Sequence, residues 1–261
     1  MRNIMTIRSN WQAKAPAPRL IGLALAFAGV LAAADLPKGE MLMDKYIEVT
    51  GGKAAYSKMH SQMMTGTMEF PAMGLKGKLT IYSAEPDKQY FEVNLEGVGK
   101  LQEGSSGDVA WANSAMQGPR LKEDGEKTES LMRAKFNAEL NWRDLYKTVE
   151  TVATETVEGK ECYKVVATPK SGNPKTLWYG KDSNLMVKMS AVTPSPQGDI
   201  PSETSLTDYR KEGDILMPHK ILVKAGPMEF AMTVDSVQIN PEIPKNTFDV
   251  PDEVKALIKK P

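Results

Sequence analysis

The strongest constraint on this chain is a change of hydrophobic period near residue 60, from the 3.6 of a helix to the 2 of a strand. LKGKLTIYSA sets Leu79 and Ile81 against Lys78 and Thr80. QYFEVNLE sets Phe91, Val93 and Leu95 against Tyr90, Glu92 and Asn94. GPMEFAMTVDS places Met228, Phe230, Met232 and Val234 on one face, with Glu229, Thr233 and Asp235 opposite. Further strands are expected near residues 61–70, 99–104, 107–113, 148–156, 160–168, 175–181, 184–191, 203–211 and 215–224. Turn signals separate them, among them Glu85-Pro86-Asp87, Glu158-Gly159, Ser171-Gly172-Asn173-Pro174 and Gly213-Asp214. So many short strands, mostly without helices between them, call for a largely antiparallel sheet and not for βαβ crossovers.

Ahead of the strands, GEMLMDKYIEVTGG carries Leu42, Met43, Tyr46, Ile47 and Val49 on one helical stripe, and Gly51-Gly52 supplies a left-handed stop. KAAYSKM, with Ala55, Tyr56 and Met59 together, reads as a second short helix. From Gly118 to about Tyr146 the strand series is interrupted by a charged helical pattern, with Leu131, Met132 and Phe136 on one side. No linker or repeat divides residues 35–261. One domain of the α+β class is expected, with helices packed on one face of a large curved antiparallel sheet.

Residues 20–34 read LIGLALAFAGVLAAA, preceded by Arg2, Arg8, Lys14 and Arg19 and by no acid. A charged n-region, a short apolar run and Ala32-Ala33-Ala34 are the parts of a secretory signal peptide cut before Asp35. The run is too short for the roughly 20 residues that span a bilayer. The body is therefore expected outside the cytoplasm, in a periplasm. It holds 29 of the 33 basic residues against all 33 acidic ones, a balance that argues against a nucleic-acid partner.

Two histidines and one cysteine exclude most zinc sites, haem attachment and iron–sulfur clusters. Cys162, in the strand-like KECYKVVA, reads as a small buried hydrophobe. His60 and His219 fall in no metal-ligand spacing, and no nucleophile elbow, phosphate loop or dinucleotide pattern is present. Glu123-Asp124-Gly125-Glu126 reads as a solvated loop. No enzyme, metal or cofactor is expected. Methionine is abundant, 16 in all, and its flexible thioether suits surfaces that adapt to ligands of varied shape as well as plain core filling. The candidate ligand-lining residues are Leu79, Ile81, Phe91, Val93, Met228, Phe230 and Met232. Periodicity is the same for a hollow face and a packed one, so both readings stand at this point.

Several stretches together carry a resemblance: DKYIEVTGGKAAYSKM, NWRDLYKTVETVATETVEGKECYKVVATPKSGNPKTLWYGKDSNLMVKM, GDILMPHKILVK and INPEIPKNTFDVP. The set resembles the periplasmic outer-membrane lipoprotein-sorting proteins, the lipoprotein carrier-like superfamily, over nearly all of residues 35–252. The resemblance implies an incomplete antiparallel β-barrel closed on its concave side by helices, around an apolar cavity. It implies a monomeric, non-enzymatic carrier for lipoprotein acyl chains, lipid or another hydrophobic ligand. The alternative is an envelope sensing or interaction module that binds a protein partner through the same half-barrel. Arg143 is the one candidate for a cavity arginine, and a salt-bridged role is the stronger expectation for it.

Overall fold

The structure, a computed structural model, describes residues 36–196 and 198–258. The signal peptide and its cleavage site lie outside the described residues. Two helices, α1 (Gly39–Val49) and α2 (Gly52–Tyr56), precede the strands, with Gly51 and Gly52 both at positive φ between them. Six strands follow: β1 (Ser61–Phe70), β2 (Leu75–Ala84), β3 (Lys88–Leu95), β4 (Gly99–Ser106), β5 (Val109–Ser114) and β6 (Gly118–Leu121). After α3 (Asp124–Ala134) and α4 (Trp142–Leu145) come seven more: β7 (Tyr146–Val157), β8 (Lys160–Pro169), β9 (Lys175–Gly180), β10 (Met186–Thr193), β11 (Ile200–Glu212), β12 (Ile215–Ala225) and β13 (Met228–Ile239). A one-turn helix, α5 (Asp252–Lys255), lies near the end.

All thirteen strands form one antiparallel sheet in the order β6-β5-β4-β3-β2-β1-β13-β12-β11-β10-β9-β8-β7. Every neighbouring pair is consecutive in the chain except β1 with β13. Two meanders, one from each half of the chain, are thus joined along a single seam. The free edges are β6 and β7, so the sheet does not close into a barrel, and the chain from Lys122 to Leu145 crosses from one edge to the other.

The expected helical stretch from Gly118 is corrected at its start. Residues 118–121 form the edge strand β6, because Ala115, Met116 and Gln117 turn the chain back onto β5. Pro119, which has no N–H to donate, is tolerated at such an edge.

Helices α1, α2 and α3 pack on the same face of the sheet, which we call inner. Leu42, Met43, Tyr46 and Ile47 of α1 are buried against Val149, Val165, Leu177 and Tyr179 of β7 to β9 and against Ile215 of β12. The Leu216 N–H donates to the carbonyl of Thr50 at 2.8 Å, which ties the end of α1 to β12. On the opposite face the tail from Asn240 to Ile258 returns over β2 to β6. Trp111 lies there over Gly104, and both Trp111 and Val254 are buried. Cys162 is also fully buried, its thiol 3.4 Å from the Lys160 carbonyl, and burial pushes that thiol up, away from reactive thiolate character.

The seam has a steric requirement. The register of β1 on β13 shifts between Thr65 and Gly66, which leaves Asp235 unpaired in a bulge. A Cβ on Gly66 would collide with the Thr233 carbonyl oxygen, and one on Gly77 of the adjacent strand would press on Asn94. Missing side chains at these two inner-facing positions let the sheet bend sharply there. We therefore expect Gly66→Ala to destabilise the fold by at least about 2 kcal/mol in denaturant unfolding. A change within about 0.5 kcal/mol would show that the seam tolerates a side chain.

Candidate functional site

The inner face divides into a plugged half and an open half. Over β7 to β9, α1, α2 and the turn at residues 136–142 fill the surface. Over β1 to β3 and β13 a second cluster forms from Met68, Phe70, Leu79, Val93 and Leu95, all buried, with Ile81, Phe91, Phe230 and Met232 only half-buried around it. Cross-strand register explains the grouping. Leu79 faces Val93, Ile81 faces Phe91, and the row Met68–Met232–Ile221–Leu206 runs across four strands. Phe70 and Phe230 stack tilted with ring centroids 5.6 Å apart. Ile221, Val223 and Leu206 are half-buried as well. The result is a contiguous apolar row along the centre of the inner face, here called the trough, to which no described helix contributes a residue.

Six of the seven residues singled out from the sequence fall in this one cluster: Leu79 and Val93 at its floor, Ile81, Phe91, Phe230 and Met232 with surface remaining. Met228 is on the same face but at the rim, 48% exposed and outside the cluster. Arg143 does not enter the trough. It makes a bidentate pair with Asp44, at 2.9 and 2.7 Å, and stacks on Trp142 with its guanidinium carbon 4.1 Å from the ring. The two histidines stay apart in role. His60 pairs with Glu85 on the surface. His219 is buried, with Nδ1 2.9 Å from the Val234 carbonyl and Nε2 3.0 Å from Glu212 but without hydrogen-bond geometry there. Among the described residues no three His, Cys, Asp or Glu side chains gather as a metal site.

The plugged half contains a feature that periodicity did not reveal. Tyr46, Tyr56 and Tyr179 of α1, α2 and β9 are buried in one cluster with Tyr146 of β7 and Tyr209 of β11 half-buried against it, and the charge of Glu139, in the turn between α3 and α4, disfavours ionisation of all five. Tyr46 and Tyr179 are tilted rings 5.8 Å apart. Asn137 anchors the turn, its amide donating to the carbonyls of Tyr56 and Met59 at 3.0 and 3.2 Å. Glu139 itself is exposed, and desolvation by the protein around it still raises its carboxyl above the ordinary range. Burial, with the Glu139 charge adding to it, pushes Tyr146 up to about 12. No signal in the sequence joins these six positions, because they sit on six different segments.

The strap α3 is held differently from α1. Only Ser130 and Ala134 on it are buried. Its attachments are charged: Arg120 to Glu126 at 2.6 Å, Glu129 to Lys175 at 2.7 Å, and Lys122, just ahead of it, to Glu103 at 2.7 Å and Ser130 at 3.1 Å. Lys122 is 4% exposed at its side chain. Burial alone would push the Glu103 carboxyl up, but the Lys122 and Arg133 charges outweigh it and hold it low.

No family model matches the sequence, and no curated protein matches it. Solved structures do. A DUF1329 family protein from Desulfovibrio piger superposes with a TM-score of 0.57 at 15% identity, over 82% of this chain and 98% of that one. A putative outer membrane lipoprotein-sorting protein domain from Vibrio parahaemolyticus gives 0.54 at 14% identity, over 81% and 96%. The chain shares the fold of these two proteins. A LolA superfamily protein from Nitrosomonas europaea, at 0.53 and 11% identity over 82% of this chain and 98% of that one, shares it too. In this fold the open antiparallel sheet with helices on its inner face is the incomplete barrel expected from the sequence.

The raised carboxyl gives a signed prediction. Folding holds the Glu139 proton more tightly than the unfolded chain does, so its contribution is full at low pH and lost as pH rises from about 4.3 through the raised value. Glu139→Gln should therefore melt higher than the wild type at about pH 8, with the gap narrowing toward about pH 4. A variant that melts lower at the alkaline end would contradict this placement of the carboxylate.

Proposed function

We propose that this protein is a non-enzymatic periplasmic carrier or binding protein for a hydrophobic molecule, such as the acyl chain of a lipid or lipoprotein. The observation that carries the reading is the trough: Ile81, Phe91, Phe230 and Met232 keep accessible surface on the inner face of a sheet whose other half is plugged by helices. A lone apolar side chain with some exposure is ordinary, but a contiguous row of them on one half-covered sheet face suits a hydrophobic ligand. The leader reading of residues 1–34 supplies the compartment, and the similar solved structures supply the precedent of the fold.

The energetics fit such a role. Each buried methylene contributes about 0.8 kcal/mol, so a sixteen-carbon chain brings roughly 12 kcal/mol before binding costs. Release on a useful timescale then requires opening or hand-over. The α3 strap suits opening, because ion pairs can re-form with water and salt while an apolar helix face cannot.

Phe230→Glu and Met232→Glu test the reading. A charge in a dry packed core costs several kcal/mol, whereas a charge in a trough is solvated once the ligand is gone. Both variants should lose binding of a fluorescent fatty-acid probe while keeping a thermal midpoint near that of the wild type. Unfolding of both would mark this face as packed core. Wild-type protein that never binds the probe would favour a protein partner on the same half-barrel.

A further inference from the structure

The carrier reading leaves open how a hydrophobic ligand reaches the trough, and the turns at one end of the sheet bear on it. Resting on that reading, we propose that the hairpin tips at residues 71–74, 96–98, 115–117 and 226–227 form a rim that seats on a lipid bilayer, so that a ligand passes between membrane and trough without crossing water.

Topology puts the four tips together. They join β1 to β2, β3 to β4, β5 to β6 and β12 to β13, which are consecutive pairs in the sheet, so all four lie at the same end. Neighbouring tips are two strand spacings apart, about 10 Å. Some approach more closely. A Cβ on Gly99 would come within 3.1 Å of the Ala115 side chain, and the turn Pro71–Met73 packs against β13. Apolar side chains stand out into solvent on this rim. Met116 is 81% exposed, Met73 56% and Met228 48%, with Pro71, Ala72 and Pro227 exposed beside them. The other exposed large apolar residues among the described ones are spread over α1, β7 and the tail.

The two ends of these strands differ in charge. The four tips hold one acid, Glu96, and no base. The bases just behind them, Lys76, Lys100 and Lys224, are paired with Glu69, Glu92 and Glu229. At the other end the turns 85–87, 107–108 and 213–214 carry Glu85, Asp87, Asp108 and Asp214, side chains that resist leaving water. That other end is also where the first two helices attach. Thr50, after α1, accepts from the Leu216 N–H, and Lys58, just past α2, pairs with Asp214 at 3.2 Å. The trough, in contrast, runs out to the tips. Val98 within one tip and Leu75 beside another pack on its cluster, which also holds Phe70 and Phe230.

Exposed apolar patches mark contacts with proteins or membranes. The tips contain no Trp, Tyr or Arg, the residues that dominate protein–protein hot spots. They present unbranched, flexible methionines on separate hairpins, and these need only a soft apolar phase under a flat surface. A bilayer supplies it, and its hydrated headgroups serve the backbone groups of the turns. With no base at the tips the contact is apolar, so salt does not screen it.

Flotation of the purified protein with phosphatidylcholine vesicles tests the rim. The wild type should bind them equally, within about twofold, at low and high salt. Met73→Gln combined with Met116→Gln should weaken vesicle binding by about tenfold. Both positions lie outside the trough, so binding of the fluorescent fatty-acid probe should stay within about twofold of wild type. In separate single variants, a Met116→Trp indole should shift its fluorescence to the blue on adding vesicles, and an Asp108→Trp indole at the opposite end should not. Near-ultraviolet circular dichroism of each variant confirms the fold. Vesicle binding that survives the double substitution, that is lost in high salt, or that is absent while the probe still binds overturns the rim and leaves the carrier reading standing. Wild-type protein that binds neither vesicles nor probe overturns both.

Discussion

One strand pairing, β1 on β13, makes a single sheet of two meanders that are otherwise built from neighbours in the chain. It closes a loop of more than 150 residues, since Thr67 lies opposite Thr233, and the entropy of that closure must be met by the apolar row it creates. The inner face around the seam shows how. Met68 and Phe70 come from one meander, Phe230 and Met232 from the other, and only their meeting produces the cluster. Gly66 is the steric condition of that meeting, because a side chain there would strike the Thr233 backbone of β13.

Leaving β6 and β7 unpaired keeps the same sheet open. Here the gap is crossed by chain that is not strand, and the two kinds of cover differ in chemistry. Helix α1 buries Leu42, Met43, Tyr46 and Ile47 and is a fixed plug. Helix α3 buries only Ser130 and Ala134 and is pinned by charge pairs at both sides. Surface ion pairs contribute little and weaken with salt, whereas removing Glu103 from the buried Lys122 would leave a buried charge uncompensated. The contrast makes α1 the apolar anchor and α3 the cover held by charge.

Much of this architecture was legible in the sequence. The alternation at Leu79, Ile81, Phe91 and Val93 located the inner face of β2 and β3, and the stripe through Leu42, Met43, Tyr46 and Ile47 located the buried side of α1, because each pattern is local and periodic. Gly51-Gly52 ended α1 at positive φ as its composition required. What period could not show was which faces meet. Trp111 and Trp178 have the same apolar look, yet both lie on the outer face. One is covered by the tail, and the other donates to Glu155 at 2.8 Å with Lys188 5.1 Å from its ring centroid. The tyrosine cluster was invisible for a deeper reason. Its members come from five elements spread between residues 46 and 209, and only the folded sheet brings them together. The edge strand β6 was missed because four residues are too few to display an alternation.

Native mass spectrometry of the protein purified from its own envelope tests the central claim most directly. The account predicts a bound species, displaced together with its signal by organic solvent, whose mass is that of a lipid or other amphiphile. A chain that leaves the envelope with no small-molecule adduct under conditions gentle enough to preserve lipid complexes would contradict it.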